Sequence, residues 1–307
     1  MKKFELTDEF ITNAFGNKLF RIKAIVDFGT IRAGELGGFV EKEENLSNDD
    51  NAWVSGNARV SDDARISDDA RISGNAQVYG NASVYGNAWV YDDARISGNA
   101  QVSGNASVFG NASVSDDARI SGNAQVSGNA LVYDNAQVSG NASVYGNAWV
   151  YDDARISGNA QVYGNALVSG NAQVSGNASV YGNAWVYGNA LVYDDARISG
   201  NAQVSGNARV SDDARISGNA RISGNAQVSG NASVFGNADY AVVEGFGRYF
   251  RATTFFRCKD KILRVQCGCF YGDLAEFREI VKKTHGDSKY AKEYLAIADL
   301  MELHFSD

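Results

Sequence analysis

From Ala52 to Ala238 the chain repeats one pattern of apolar and polar positions. Val or Ile stands at every sixth residue from Val54 to Val234, 31 consecutive positions, and Ala stands two residues before each. Ala and Val therefore share one face of a short strand, and the residues between and after them point the other way. The next pair is Gly-Asn, Asp-Asp or Asp-Asn, residue types that tolerate positive φ and form turns. Each hexad thus reads as a strand of about four residues followed by a corner. A strict six-residue period of this kind is the signature of a parallel β-helix built from hexapeptides. Three hexads, 18 residues, close a triangular coil. About ten such coils, each ~4.8 Å high, predict a solenoid ~50 Å long with Val and Ile on its axis.

The flanks break the period. Residues 1–50 contain a strand at Phe20–Val26 and a turn leading into a second strand at Gly34–Val40. A solenoid end exposes unpaired edges and an open core, so this segment reads as an N-terminal cap. Residues 51–239 are the β-helix and 240–307 a C-terminal α+β cap. In that cap, Phe255–Cys258 and Ile262–Phe270 read as strands. Asp273-Leu274-Ala275-Glu276 is a capping box opening a helix with Leu274, Phe277, Ile280 and Val281 inward. Gly286-Asp287-Ser288 opens a second helix with Tyr294, Leu295, Ala298, Met301 and Phe305 inward.

Stretches such as Ile72-Ser73-Gly74-Asn75-Ala76-Gln77-Val78 resemble the hexapeptide repeat of left-handed β-helix proteins, a family that includes many acyltransferases. The resemblance implies a left-handed coil, an exception to the usual right-handed crossover; periodicity alone does not give the hand. The run Arg21–Ala24, Asp27–Gly29, Ala33-Gly34, Gly37–Val40 and Asn45–Ser47 resembles the start of phage and prophage hexapeptide-repeat proteins, whose function is largely unassigned. The tail is similar to a recurrent C-terminal segment of phage-encoded proteins.

Residues 18 apart stack on one face, which allows the outer surface to be read. On the face that begins with Arg59, the column continues Gln77, Arg95, Ser113, Leu131, Trp149, Leu167, Trp185, Gln203, Arg221. Leu131, Trp149, Leu167 and Trp185, flanked by Tyr133, Tyr151 and Tyr187, form an apolar and aromatic strip that predicts a binding surface. A stabilising ladder of stacked side chains is the alternative reading. The face with Arg65 is mostly Arg, Gln and Ser. The third carries Tyr145, Tyr163 and Tyr181, with Trp53 and Trp89 outward nearer the N-terminal end. The strip suits a protein partner or a second copy of the chain, and the family resemblance implies a trimer for self-association. Carbohydrate is another occupant, because Trp and Tyr faces stack on sugar rings.

Composition narrows the chemistry. The chain has 307 residues, no Pro and a net charge of −8. A continuous ladder needs nearly every backbone N–H, which explains the missing Pro. The acidic balance argues against nucleic acid and anionic membranes as partners. No apolar run is long enough for a membrane span, and the start lacks an apolar signal core. Three Cys, none in the repeat, fit a reducing cytoplasm better than a disulfide framework. Hexapeptide acyltransferases carry a catalytic His and loops for the acyl donor. Here both His, His285 and His304, lie outside the repeat, so no enzyme activity, catalytic residue or cofactor is expected. Stacked Asp corners such as Asp116, Asp134 and Asp152 suggest calcium. The Ala-Arg-Ile that follows nearly every Asp-Asp favours solvated ion pairs instead. Cys258, Cys267, Cys269 and His285 lack a standard zinc spacing, so no metal is expected. The leading expectation is a structural or binding module of phage or prophage type. A host-directed inhibitor, including an acidic DNA mimic, is the second reading. It is weakened by 10 Arg set against 16 Asp in residues 51–239.

Overall fold

The strands of the repeat are shorter than the period suggests. In the computed structural model, which describes residues 2–14 and 16–306, each hexad contributes a two-residue rung such as Ser143–Val144. Met1, Phe15 and Asp307, which belong to the two caps read from the sequence, lie outside the described residues. Rungs are short because the left-handed corner cuts into the strand. Gly or Asp takes φ between 55° and 73° at every corner from Gly56 to Gly230. Each rung is paired in parallel, in register, with the rung 18 residues on, as in Gln125↔Ser143 and Val126↔Val144. The coil height is therefore one strand spacing.

The backbone accounts for the alphabet of the repeat. The N–H groups of the outward residue, the Ser/Tyr and the corner Asn all donate to the next coil. Examples are Gln125 to Ala142 O at 2.9 Å, Ser127 to Val144 O at 2.9 Å and Asn129 to Gly146 O at 2.7 Å. A Pro at any of these positions removes a rung bond. The inward Ala and Val or Ile are fully buried throughout. At Gly122, with φ +68°, an added Cβ would lie 2.9 Å from the backbone N and O of Gly140.

The chain forms two compact units, residues 1–165 and 166–307. In the first, β1 (Phe4–Thr12), β2 (Lys18–Ala24) and β3 (Leu36–Val40) form an antiparallel sheet. Parallel stacking begins at β3, before the first hexad, with Phe39↔Arg59 and Val40↔Val60. Buried polar groups close this end of the helix. The Asn45 amide donates to Asp62 O and Ala64 O, and the Lys3 ammonium donates to Ala52 O and Asp50. Burial pushes the Lys3 ammonium below its ordinary pKa.

In the second unit, the last rungs meet a four-stranded antiparallel sheet made of Tyr240–Val243, Thr253–Arg257, Leu263–Cys267 and Phe270–Asp273. This is two strands more than the sequence reading contained. Side chains of the cap take the orphan donors of the final coil. Gln227 N donates to Thr254 Oγ1, Arg221 N to Asn237 Oδ1 and Asn225 Nδ2 to Glu244. Helices α1 (Leu274–His285) and α2 (Lys289–His304) bury Phe277, Val281, Tyr294, Ile297 and Met301 against Phe255 and Val265. The α1 capping box forms as expected, with Asp273 and Glu276 exchanging bonds at 2.9 and 2.8 Å. Ile280, expected inward, is exposed.

Candidate functional site: outward rungs of the solenoid

With the inner face uniform, only the outward positions and corners differ from coil to coil. In the first unit the Arg59 column runs in register through Gln77, Arg95, Ser113 and Leu131 to Trp149. Leu131 and Trp149 are adjacent, and Tyr133 stacks on Tyr151 with centroids 5.1 Å apart and planes 1° from parallel. In the second unit Leu167 is adjacent to Trp185, followed by Gln203 and Arg221. The two Leu are half-buried, whereas Trp149 is 43% and Trp185 46% exposed. Tyr187 is also exposed. Each unit thus carries one such Leu–Trp pair, on a column whose neighbouring rungs carry Ser in the first unit and Gln and Arg in the second.

Two further aromatic stacks stand in the first unit. Tyr145 lies on Tyr163 at 4.8 Å, and Tyr91 on Phe109 at 4.9 Å, both nearly parallel. The second was missed in the sequence because Phe109 interrupts a run read only for Tyr and Trp. Burial, first, raises the phenol pKa of Tyr133, Tyr145 and Tyr91; at Tyr133 the neighbouring Tyr151 adds to it.

Trp53 departs from its expected outward place and is 3% exposed. The loop after β2 folds over it, with the Phe28 ring edge-on at 5.5 Å. Arg71 donates to Thr30 Oγ1 of the same loop at 3.2 Å. Trp89 remains 52% exposed beside this covered corner. The cover comes from residues distant in sequence, so the hexad pattern could not reveal it.

The corners have a different chemistry from the one their charges suggest. Asp63 makes its ion pair with Lys42 at 2.7 Å, and Arg65 of the same Asp-Asp-Ala-Arg-Ile acts on it only at longer range. The first Asp instead accepts the N–H of the Gly one coil on, as in Asp68 with Gly86 at 2.8 Å and Asp212 with Gly230 at 2.9 Å. The second corner position carries a ladder of Asn amides. Asn105 donates to Asn123, Asn123 to Asn141 and Asn141 to Asn159, all at 2.9–3.0 Å. An Asp in the ladder accepts and cannot donate onward, as where Asn99 meets Asp117. Among the described residues no three His, Cys, Asp or Glu gather as a metal-binding group. Cys258 is buried, Cys267 accepts from Thr253 Oγ1 and Cys269 is exposed, while His285 packs on Tyr290 and Tyr294.

The hexads of the solenoid are similar to repeats of known proteins. They match the YdcK beta solenoid repeat. The matches fall at residues 64–92, 100–116, 124–152, 160–188 and 196–228. No curated protein matches the chain. Similar solved structures include the UDP-N-acetylglucosamine O-acyltransferase of Moraxella catarrhalis, at 16% identity over 61% of this chain and 72% of that one, TM-score 0.38. The UDP-N-acetylglucosamine acyltransferase of Campylobacter jejuni matches at 17% identity over 48% and 67%, TM-score 0.22. That of Arabidopsis matches at 12% identity over 78% and 89%, TM-score 0.22. Both His of the present chain lie in α1 and α2, away from the repeat. No helix among the described residues is long and apolar enough to cross a membrane.

Proposed function

We propose that the protein is a non-enzymatic binding module of phage or prophage type, which engages a second copy of itself through the Leu–Trp pairs of the Arg59 column. The observation that supports this reading is the pair of Trp side chains left 43% and 46% exposed, each beside a Leu, at a position where most coils are polar. Apolar aromatic surface of this kind is enriched at interface centres. A purely stabilising ladder does not need Trp, because the Gln77–Arg95 and Arg95–Ser113 steps of the same column pair equally well. Within each unit the insertion-free coil holds its Leu and Trp on adjacent rungs without reorganisation, which favours association.

The test replaces Trp149 and Trp185 with Ser, a residue that outward positions already carry. The double variant should melt as wild type and lose self-association in sedimentation velocity. Arg155→Ser with Gln173→Ser, on the polar face, should change neither. A double variant that sediments as wild type at every concentration refutes the reading.

A further inference from the structure

A second surface, on the Arg197 face of the second unit, has the makings of a ligand site. Its outward column runs Ser179, Arg197, Arg215, Ser233 in register. The column two residues on runs Tyr181, Ser199, Ser217, Phe235, and its backbone bonds of 2.9 Å set Tyr181, Ser199 and Ser217 on successive coils. Two serines therefore leave a gap two rungs wide between two aromatic rings. Together with Lys259 from the C-terminal cap, the side chains of these two columns other than Ser179 line a cleft of about 350 Å³.

The charges in the cleft are all of one sign. Arg197 and Arg215 are neighbours in a parallel ladder, ~4.8 Å apart along the stack, and like charges so placed repel. The ion pairs of this unit join Arg257 to Asp239, Arg264 to Asp260, Arg278 to Asp299 and Glu302, and Lys289 to Glu293. None reaches the cleft, and among the described residues neither guanidinium nor the Lys259 ammonium has a carboxylate at ion-pair distance. Asp239 accepts from Phe235 N and Gly236 N at 2.9 Å and so fixes the Phe235 jaw. Phe235 itself is 63% exposed. Three unpaired cations in a chain of net charge −8 are an arrangement that an anion would relieve.

We propose that this cleft binds a sugar carrying an anionic group, a phosphate or a carboxylate. The two guanidinium forks on adjacent rungs take the oxyanion. Lys259 adds a mobile third charge. Phe235 offers its face to the sugar ring, Tyr181 closes the far end of the gap, and the Ser199 and Ser217 hydroxyls meet the sugar's hydroxyl groups. Within the second unit the site lies on a different face from the Leu167–Trp185 pair, and it does not depend on the self-association reading.

Titration calorimetry on the full chain tests the proposal, with glucose 6-phosphate, glucuronate, glucose and inorganic phosphate as probes. At least one acidic sugar should bind, with affinity falling as salt rises. Glucose should give no heat, and inorganic phosphate should bind at least about tenfold more weakly than the preferred acidic sugar, because it lacks a ring to stack. Which acidic sugar binds separates a phosphate from a carboxylate ligand. Arg197→Gln with Arg215→Gln should weaken binding at least about tenfold while melting no lower than wild type, since it removes a repulsion. Phe235→Ser should weaken the acidic sugar and leave inorganic phosphate unchanged. Absence of heat with both acidic sugars overturns the proposal, as does equal affinity in the Arg double variant. A marked fall in melting temperature of that variant also overturns it, because the guanidinium groups would then have structural partners.

Discussion

Replacing one axial valine tests whether stability is spread evenly along the coil. Val144 is fully buried and in register with Val126 below it. Val144→Ala removes two methyl groups, worth about 0.8 kcal/mol each in transfer free energy. The void cannot close, because rungs on both sides are held by backbone bonds such as Ser127 N to Val144 O at 2.9 Å. A residual cavity adds about 24 cal/mol per Å³, which brings the expected loss to about 2–3 kcal/mol. Val138→Ala and Val126→Ala, in equivalent surroundings, should cost the same to within about 0.5 kcal/mol. Val126→Ala with Val144→Ala should depart from additivity, since the two voids merge, whereas Val78→Ala with Val144→Ala, more than three coils apart, should add. Urea denaturation followed by far-UV circular dichroism measures each value. A Val144→Ala loss under about 0.5 kcal/mol, or widely unequal losses at the three sites, would refute a uniform close-packed axis.

The corner ladder and the C-terminal cap yield further expectations. Asn123→Ala breaks two side-chain bonds at a solvent-exposed corner and should cost about 0.5–1.5 kcal/mol in the same assay. Asn99→Asp should cost more than Asn99→Ala, because it sets a carboxylate against Asp117 and removes the donor. In the C-terminal cap, burial and the neighbouring Cys267 push the Tyr294 phenol from 10.0 up to about 12. The neutral phenol is therefore favoured in the fold. Its contribution is complete below the unfolded value of 10.0 and is lost as pH rises towards about 12. Near-UV circular dichroism of the cap should fade across that interval, and Tyr294→Phe should flatten the loss.

Much of this structure was legible in the chain because the repeat is so regular. A six-residue period with Ala and Val in phase gives the inner face, and an 18-residue stacking rule puts Leu131 beside Trp149 and Leu167 beside Trp185. The hand came from the family resemblance, since strand alternation is the same in either hand. What escaped depends on contacts between distant residues. Trp53 looked outward because the hexad knows nothing of Phe28 and Thr30, which cover it. β1 was not read as a strand because its alternation mixes Phe4 and Leu6 with charged residues, and only pairing with β2 decides its state. The Asp corners were read as charges to be balanced by Arg. Their acceptor role towards a Gly N–H on the next coil appears only once the coils are stacked. The cationic cleft was invisible for a related reason: Lys259 reaches it from the cap.

The central claim is our proposal that Trp149 and Trp185 lie in an interface and not on free surface. Single-tryptophan variants measure this directly. With Trp53, Trp89 and Trp185 changed to Phe, the emission of Trp149 can be followed under acrylamide quenching as protein concentration rises. The same is done for Trp185 in the matching background. Association through this face predicts that quenching falls and emission shifts to the blue as assembly proceeds, while a Trp89-only variant keeps its quenching unchanged. Trp149 and Trp185 quenched equally at low and high concentration, in a protein that nonetheless associates, would place the interface elsewhere and contradict the account.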